Sequence, residues 1–342
     1  MPQEQPQAMP PEGGDSAPAG WTRYLAGFFT AATIALAAGF IADHHGGPQL
    51  LYALFFGMAF NFLAADARVA PGVEITSTAV LRIGVALLGA RISAEQIRTL
   101  GLATLVLVVV AVGATIWIGL LLGRMLGRSR VEGLLTGGAV AICGASAAMA
   151  ISAVLPRSEE NRRMTLLAVV GVTSLSTLAM IFYPTIARLL ELDDLATGIF
   201  IGGTIHDVAQ VVGAGYVHSA AAGDAATLVK LFRVMLLVPV VMLIAMAMRR
   251  QSQETSRPGF LPLFLVAFIL LLVANSAGLV PVAAAEALSQ VSRWCLVVAI
   301  AALGIKTSLQ QFAALGWRPI ALLAGETVFL AILVLVALWV LR

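Results

Sequence analysis

The chain has 342 residues, 60% of them hydrophobic and only 11% charged, with a formal net charge of +3 and a mean hydropathy of +0.95. Soluble domains do not have this balance, and the apolar runs are continuous where a β-barrel would alternate. The fold class is an all-α polytopic membrane protein, and the excess of lysine and arginine belongs to loops at the bilayer surface, with no nucleic-acid partner.

In chain order, residues 1–20 ("MPQEQPQAMPPEGGDSAPAG") are rich in Pro, Gly and Gln. They are expected to form a disordered tail, because a cleaved signal would carry a basic start and an apolar core. Residues 21–342 read as a single transmembrane domain. Eleven apolar segments follow one another: 21–41, 49–64, 76–91, 101–123, 132–155, 164–188, 195–217, 226–248, 260–279, 286–305 and 318–341. Many approach the ~20 residues that cross a bilayer.

The loops "DHHGG" (43–47) and "GYVHSAAAGDAA" (215–226) contain no Lys or Arg and are expected outside. "GRMLGRSR" (123–130), "PRSEENRR" (156–163) and "RRQSQETSR" (249–257) each carry three arginines and are expected in the cytoplasm, with the N-terminus. Two of these arginine-rich loops flank the single segment 132–155. A hairpin that dips to the midplane and returns keeps both inside, because about ten residues cover half of the hydrocarbon core. The same reasoning makes 195–217 a hairpin entering from outside. Nine crossings with two re-entrant hairpins is the preferred count, and eleven crossings is the alternative.

A repeat accompanies this arrangement. "LGARISAEQIRTLG" (88–101) aligns without gaps to "LGIKTSLQQFAALG" (303–316), with Arg91 opposite Lys306, and Asn61 and Asn275 end comparable segments upstream. With both hairpins re-entrant, five crossings separate the copies, so their orientations are opposite. Inverted repeats with broken helices at the midplane mark secondary transporters. The other source of such similarity is chance likeness among apolar helices.

Chemistry-bearing residues concentrate in the two glycine-rich stretches, "TGGAVAICGASAA" (136–148) and "IGGTIHDVAQVVG" (201–213). The paired glycines Gly137, Gly138, Gly202 and Gly203 are expected to unwind the helix and expose N–H groups to an anion. Cys143, Gly144, Ser146, Thr204, His206 and Gln210 complete the expected substrate site. The competing reading is close packing of small residues. His206, Asp207, Lys230 and Arg233 are the expected coupling residues, since ionisable groups inside a membrane are functional candidates. Imidazole titrates near neutral pH, which suits a proton, while Asp207 with freed carbonyls would suit sodium. The two cysteines and four histidines form no nucleophile–base pair or metal-ligand spacing, so neither an enzyme nor a cofactor is expected.

The stretches "LRIGVALLGARIS", "AICGASAA", "GGTIHDVAQVVGAG", "KLFRVMLLVP" and "ALGIKTS" together resemble the YeiH-type sulfate exporter family of bacterial inner-membrane proteins. The likeness runs from about residue 25 to the end, and Asp207 stands where the family carries glutamate. The resemblance implies a multi-pass secondary transporter of the inner membrane, with sulfate, sulfite or a related sulfur-containing anion as substrate. It supplies no site residues. The expected partners are that anion, the lipid bilayer, H+ or Na+ and a second copy of the chain in a homodimer. An anion channel, or a transporter of a small carboxylate or bicarbonate, is the alternative.

Overall fold

The computed structural model describes residues 20–46, 48–92, 94–155, 159–248, 263–308 and 316–341. The expected disordered tail, the polar linker around 249–259 and most of the second repeat copy's link (309–315) lie outside the described residues. Among those described, every regular element is helical. Among the described residues, seven helices are long and apolar enough to cross a membrane, and two apolar helices, Gln49–Ala59 and Leu263–Ser276, are shorter. Their outward faces are apolar: Leu102, Val106 and Trp117 are exposed on one helix, and Val328, Ile332 and Val336 on another. The second set recurs every four residues, a stripe along one helical face that suits lipid tails.

The helices form two packed groups. One contains α1 (Leu25–His45), α2 (Gln49–Ala59), α3 (Ala70–Ile75), α4 (Leu81–Leu88), α13 (Leu263–Ser276) and α14 (Val282–Lys306), with a π-turn over Thr76–Val80 between α3 and α4. The other contains α5 (Ala94–Met125), α6 (Arg130–Ala141), α7 (Ala145–Ser152), α8 (Glu159–Leu189), α9 (Asp194–Thr204), α10 (Val208–His218), α11 (Ala220–Met235), α12 (Leu237–Met248) and α15 (Trp317–Leu341). Contacts of α10 with α2 and α14, and of α5 with α13, join the groups.

Between apolar helices there is little hydrophobic driving force in lipid, so close backbone approach has to supply contact. Glycines provide it. A Cβ on Gly304 of α14 would sit 2.4 Å from the Leu54 carbonyl of α2, and one on Gly89, just past α4, 2.3 Å from the Phe268 carbonyl of α13. The two repeat copies thus make matching contacts. Asn61, beyond α2, donates to the Ile305 carbonyl at 2.7 Å, and Asn275 of α13 donates to the Ile92 carbonyl at 3.3 Å. Each copy also ends on a glycine with positive φ, Gly101 at 71° and Gly316 at 83°, a backbone state that disfavours other residues.

The segments 130–152 and 194–218 are each broken in two, and each folds back on itself. In the first, Ser152 at the end of α7 lies 2.7 Å from Thr165 (Oγ to Oγ1), and Arg128, just before α6, reaches the Met164 sulfur at 3.4 Å. In the second, Ser219 after α10 donates to Asp194 at the start of α9, at 2.7 Å. Arg188 donates to the Val217 carbonyl at 3.1 Å. Helix α8 therefore carries one hairpin mouth near its start and the other near its end. Side-chain caps set the arms: Ser129 accepts from the Glu132 amide and Asp193 from the Ala196 amide, each meeting an orphan N–H of a first turn.

Candidate functional site

The two hairpin tips meet midway along α8. Ser176 accepts from the Asp207 amide at 3.0 Å, and Thr177 accepts from Gln210 Nε2 at 3.0 Å. Eleven residues separate Thr165 from Ser176, and eleven separate Thr177 from Arg188. At 1.5 Å per residue each interval is about 17 Å, so the tips lie roughly equidistant from the two mouths.

Helix α11 threads between the tips with two buried cations. Arg233 is 1% exposed and Lys230 0%. Arg233 donates from Nε to Ala141, from one terminal nitrogen to Val140 and Ala141, and from the other to Gly202 and Ile205, all backbone carbonyls at 2.7–3.1 Å. These five bonds use all five guanidinium hydrogens. Lys230 donates to the Ile142 carbonyl at 2.6 Å and the Ile205 carbonyl at 3.0 Å, leaving one ammonium hydrogen. The carbonyls are the orphans left where α6 and α9 stop. Each such end carries about half a negative charge, which is why a cation can be buried there.

His206 completes the crossing. Its Nδ1 donates to the Val140 carbonyl at 3.1 Å, and its Nε2 lies 3.0 Å from Thr327 Oγ1 on α15. Thr327 also donates to the Leu323 carbonyl at 2.7 Å. The threonine has one hydroxyl hydrogen for two acceptors. With its own hydrogen on Nδ1, the ring competes with the Leu323 carbonyl for the threonine hydrogen at Nε2.

Asp207 is half-buried and caps α10, accepting from the Ala209 amide at 2.8 Å. Gln210 is fully buried and its Oε1 has no hydrogen-bond partner among the described residues. Cys143 is buried in the first break, and Gly144, with φ of 62°, sits where an added Cβ would lie 3.5 Å from His206.

Other expected site residues stand differently. Gly137 and Gly138 lie inside α6, and Gly202 and Gly203 inside α9; the chain unwinds after them, at Ile142–Gly144 and at Ile205–Asp207. Three of the four, Gly137, Gly138 and Gly202, serve close helix contact. A Cβ on Gly202 would lie 2.4 Å from the Ala226 carbonyl of α11, and one on Gly138 2.2 Å from Ile151 of α7. Gly137 faces Ile116 and Gly119 of α5, and Gly203 has ordinary space beside Val334. Thr204 spends its hydroxyl hydrogen on the Phe200 carbonyl. Ser146 is exposed on the first turn of α7. Lys230 and Arg233 bond to backbone and form no ion pair with Asp207 among the described residues. No group of three His, Cys, Asp or Glu side chains comes together there as a metal site.

A separate cavity of ≈ 450 Å³ opens by the second mouth, where the helical groups adjoin, and includes Gln49, Arg91, Tyr216, Gln290 and Arg293 in its lining. Arg91 pairs with buried Asp224 at 3.4 Å and lies over the Tyr216 ring.

Comparison with known proteins places the chain. The family model described as "Conserved hypothetical protein 698" matches residues 26–323. The chain belongs to this family. It is 51% identical over 317 residues to a UPF0324 membrane protein of Chlorobaculum tepidum, covering 92% of this chain and 88% of that one. It is 51% identical over 320 residues to the UPF0324 membrane protein TauZ of Paracoccus denitrificans, covering 92% and 95%. A Caulobacter vibrioides member is 36% identical over 316 residues, covering 92% and 68%. No solved structure gives a significant match. These descriptions state a membrane protein and no substrate.

Within this family member, sequence reasoning missed the contribution of α15. Glu326 is fully buried, and its Oε1 accepts from Thr136 of α6 at 2.7 Å, while Thr327 beside it holds His206. The signal was available: one acid in the apolar run "LLAGETVFLAI" (322–332) is an intramembrane carboxylate of the kind that marks function. Ser176 and Thr177 were also missed, because small hydroxyl residues are common in any membrane helix.

Proposed function

We propose that this protein is a secondary active transporter that carries a small anion by alternating access, with the anion held where the two hairpin tips meet. The carrying observation is the charge there: Lys230 and Arg233 place two positive charges between the tips, and Asp207 returns one negative. The carbonyl ends of α6 and α9 offset part of that positive charge, and an anion at the tips would offset the rest. Arg233 is saturated by carbonyls and fixes the crossing. Lys230, with one hydrogen left, and the first turn of α7, which has no side-chain cap, are the groups on offer to a ligand. The matching contacts of the two repeat copies support an inverted repeat. The fold-back contacts at opposite ends of α8 support re-entrant hairpins entering from opposite faces of a bacterial inner membrane, with the N-terminus inside. The arginine-lined cavity by the second mouth suits an anion's approach from outside. Motion of the hairpin-bearing group against the other would then move the site across the membrane, an inference by analogy with transporters of this construction.

Sulfate, sulfite and related sulfur-containing anions head the substrate class through the family resemblance. The test is titration of the purified protein with sulfate, sulfite, methanesulfonate, acetate and bicarbonate, followed by counterflow in proteoliposomes with and without sodium. Saturable exchange of at least one of them is expected, and Lys230→Gln should abolish it. Single-channel currents in place of exchange would make the protein an anion channel. No binding of any of them would refute the reading. Light scattering of the same preparation tests the homodimer, and replacing His206 by Gln and Asp207 by Asn tests their part in coupling.

A further inference from the structure

Among the described residues of the hairpin-bearing group, four acids are buried or half-buried, and three have a clear electrostatic or capping partner. Glu132 pairs with Arg128 at 2.6 Å, Asp224 with Arg91, and Asp207 caps α10. Glu326 differs. It is 0% exposed and has no cation within ion-pair reach among the described residues. Its Oε2 has no hydrogen-bond partner among the described residues. Its surroundings are backbone and hydroxyl: a Cβ on Gly119 of α5 would lie 2.8 Å from Oε1, and Thr136 supplies the one hydrogen bond.

That hydrogen bond has a competitor. Thr136 Oγ1 also lies 3.0 Å from the Glu132 carbonyl and has a single hydrogen to give. If Glu326 is ionised, Thr136 must turn toward it, and Oε2 stays bare and charged in an apolar interior, the most costly condition for a carboxylate. If Glu326 carries a proton on Oε1, it donates to Thr136, Thr136 donates to the Glu132 carbonyl, and only a neutral oxygen is left without a partner. The same arrangement recurs one residue along α15, where Thr327 stands between His206 and its own helix's Leu323 carbonyl.

We propose that Glu326 is the proton-binding group of this protein: its carboxyl takes up one proton when an anion occupies the meeting point of the tips, and releases it when the anion leaves. The proposal rests on the anion reading above. The step is a simple one, a proton from water forming an O–H bond on the carboxylate and returning to water on release. With Glu326 neutral, Lys230, Arg233 and Asp207 leave one positive charge for the anion. With Glu326 ionised, the four charges cancel and the attraction is lost. The titratable and charged groups facing Glu326 are Glu132 with its partner Arg128 on the α6 side, and His206 through Thr327. Helix α5 carries Arg124 beyond Gly119, exposed; α9 and α8 carry their charged residues only near their ends. Lys230 and Asp207 act across the tips.

The experiment uses the full chain in lipid nanodiscs, with sulfate, methanesulfonate and acetate as probes, none of which titrates between about pH 5.5 and 8.5, where ordinary histidine does. Proton uptake on binding is read with a pH indicator in weak buffer, and affinity is read across the same range. The wild type should take up about one proton per anion and lose affinity about tenfold per pH unit above its midpoint, as reciprocal linkage of one proton to one anion requires. Glu326→Gln, which mimics the protonated form, should still bind with an affinity that no longer changes with pH and with no uptake. A Glu326→Gln protein that keeps the wild-type uptake and slope overturns this proposal and leaves the anion reading intact. Absence of binding by the wild type for all three probes overturns both. Should Glu326→Gln fail to fold, Thr136→Val decides: it should move the midpoint while keeping one proton per anion, and an unmoved midpoint rejects Glu326 as the carrier.

Discussion

Replacing Arg233 by Met leaves a shorter, unbranched, uncharged side chain and removes all five of its hydrogen bonds. Among the carbonyls concerned, Val140 retains His206 and Ile205 retains Lys230. Ala141 and Gly202 retain no side-chain donor among the contacts described for them. Each buried carbonyl left in that state costs about 1–3 kcal/mol, so the pair costs about 2–6 kcal/mol. Relief of repulsion with Lys230 offsets part of this, while two half-helix ends each lose the cation that faced them. The assay is unfolding of purified protein in detergent, with Arg98→Met, at an exposed residue of α5, as the control expected within about 0.5 kcal/mol of wild type. Arg233→Lys should fall between the two, since an ammonium offers three hydrogens where five are used. An Arg233→Met protein as stable as the control would refute the view that this side chain holds the two tips together.

Three further outcomes follow from the geometry. Gly202→Val should prevent stable folding, because its Cβ would press on the Ala226 carbonyl, whereas Gly203→Ala should be tolerated, since its Cβ meets Val334 at 3.5 Å; thermal unfolding of the two variants separates them. In a variant lacking Cys143 and Cys295, cysteines placed at Arg130 and Arg163 should react with an impermeant thiol reagent from the same face of the membrane, and one at Asp43 from the other. Reaction at 130 and 163 from opposite faces would mean that segment 130–152 crosses. Asn61→Leu and Asn275→Leu should each cost about 1–3 kcal/mol by leaving a carbonyl of the other repeat copy unpaired, and denaturant titration of the single and double variants checks whether the two losses add.

The membrane class and the position of the two interrupted segments were legible because they depend on local composition: long apolar runs, and three-arginine loops on both sides of residues 132–155. His206, Asp207, Gln210, Lys230 and Arg233 could be singled out for the same reason, as polar groups that an apolar stretch has no cause to contain. Their partners could not be read. Arg233 binds carbonyls, and every residue has one, so no residue type announces the Ala141 or Gly202 end of that bond. The exact place of each break could not be read from the glycine pairs, because glycine permits both unwinding and close packing, and at Gly138 and Gly202 the neighbouring Ile151 and Ala226 carbonyl show packing within a helix. Thr327 meets His206 across a separation of 121 residues, which no local pattern encodes.

The bonds that tie the tips together run from side chains of one helix to the main chain of two others. Such a joint does not depend on the chemistry of the side chains at Val140, Ala141, Ile142 or Ile205. Volume constrains those positions, and hydrogen bonding does not. A substitution at any of these four positions that keeps the volume therefore leaves the joint intact, whereas a change at Lys230 or Arg233 removes bonds to both tips at once.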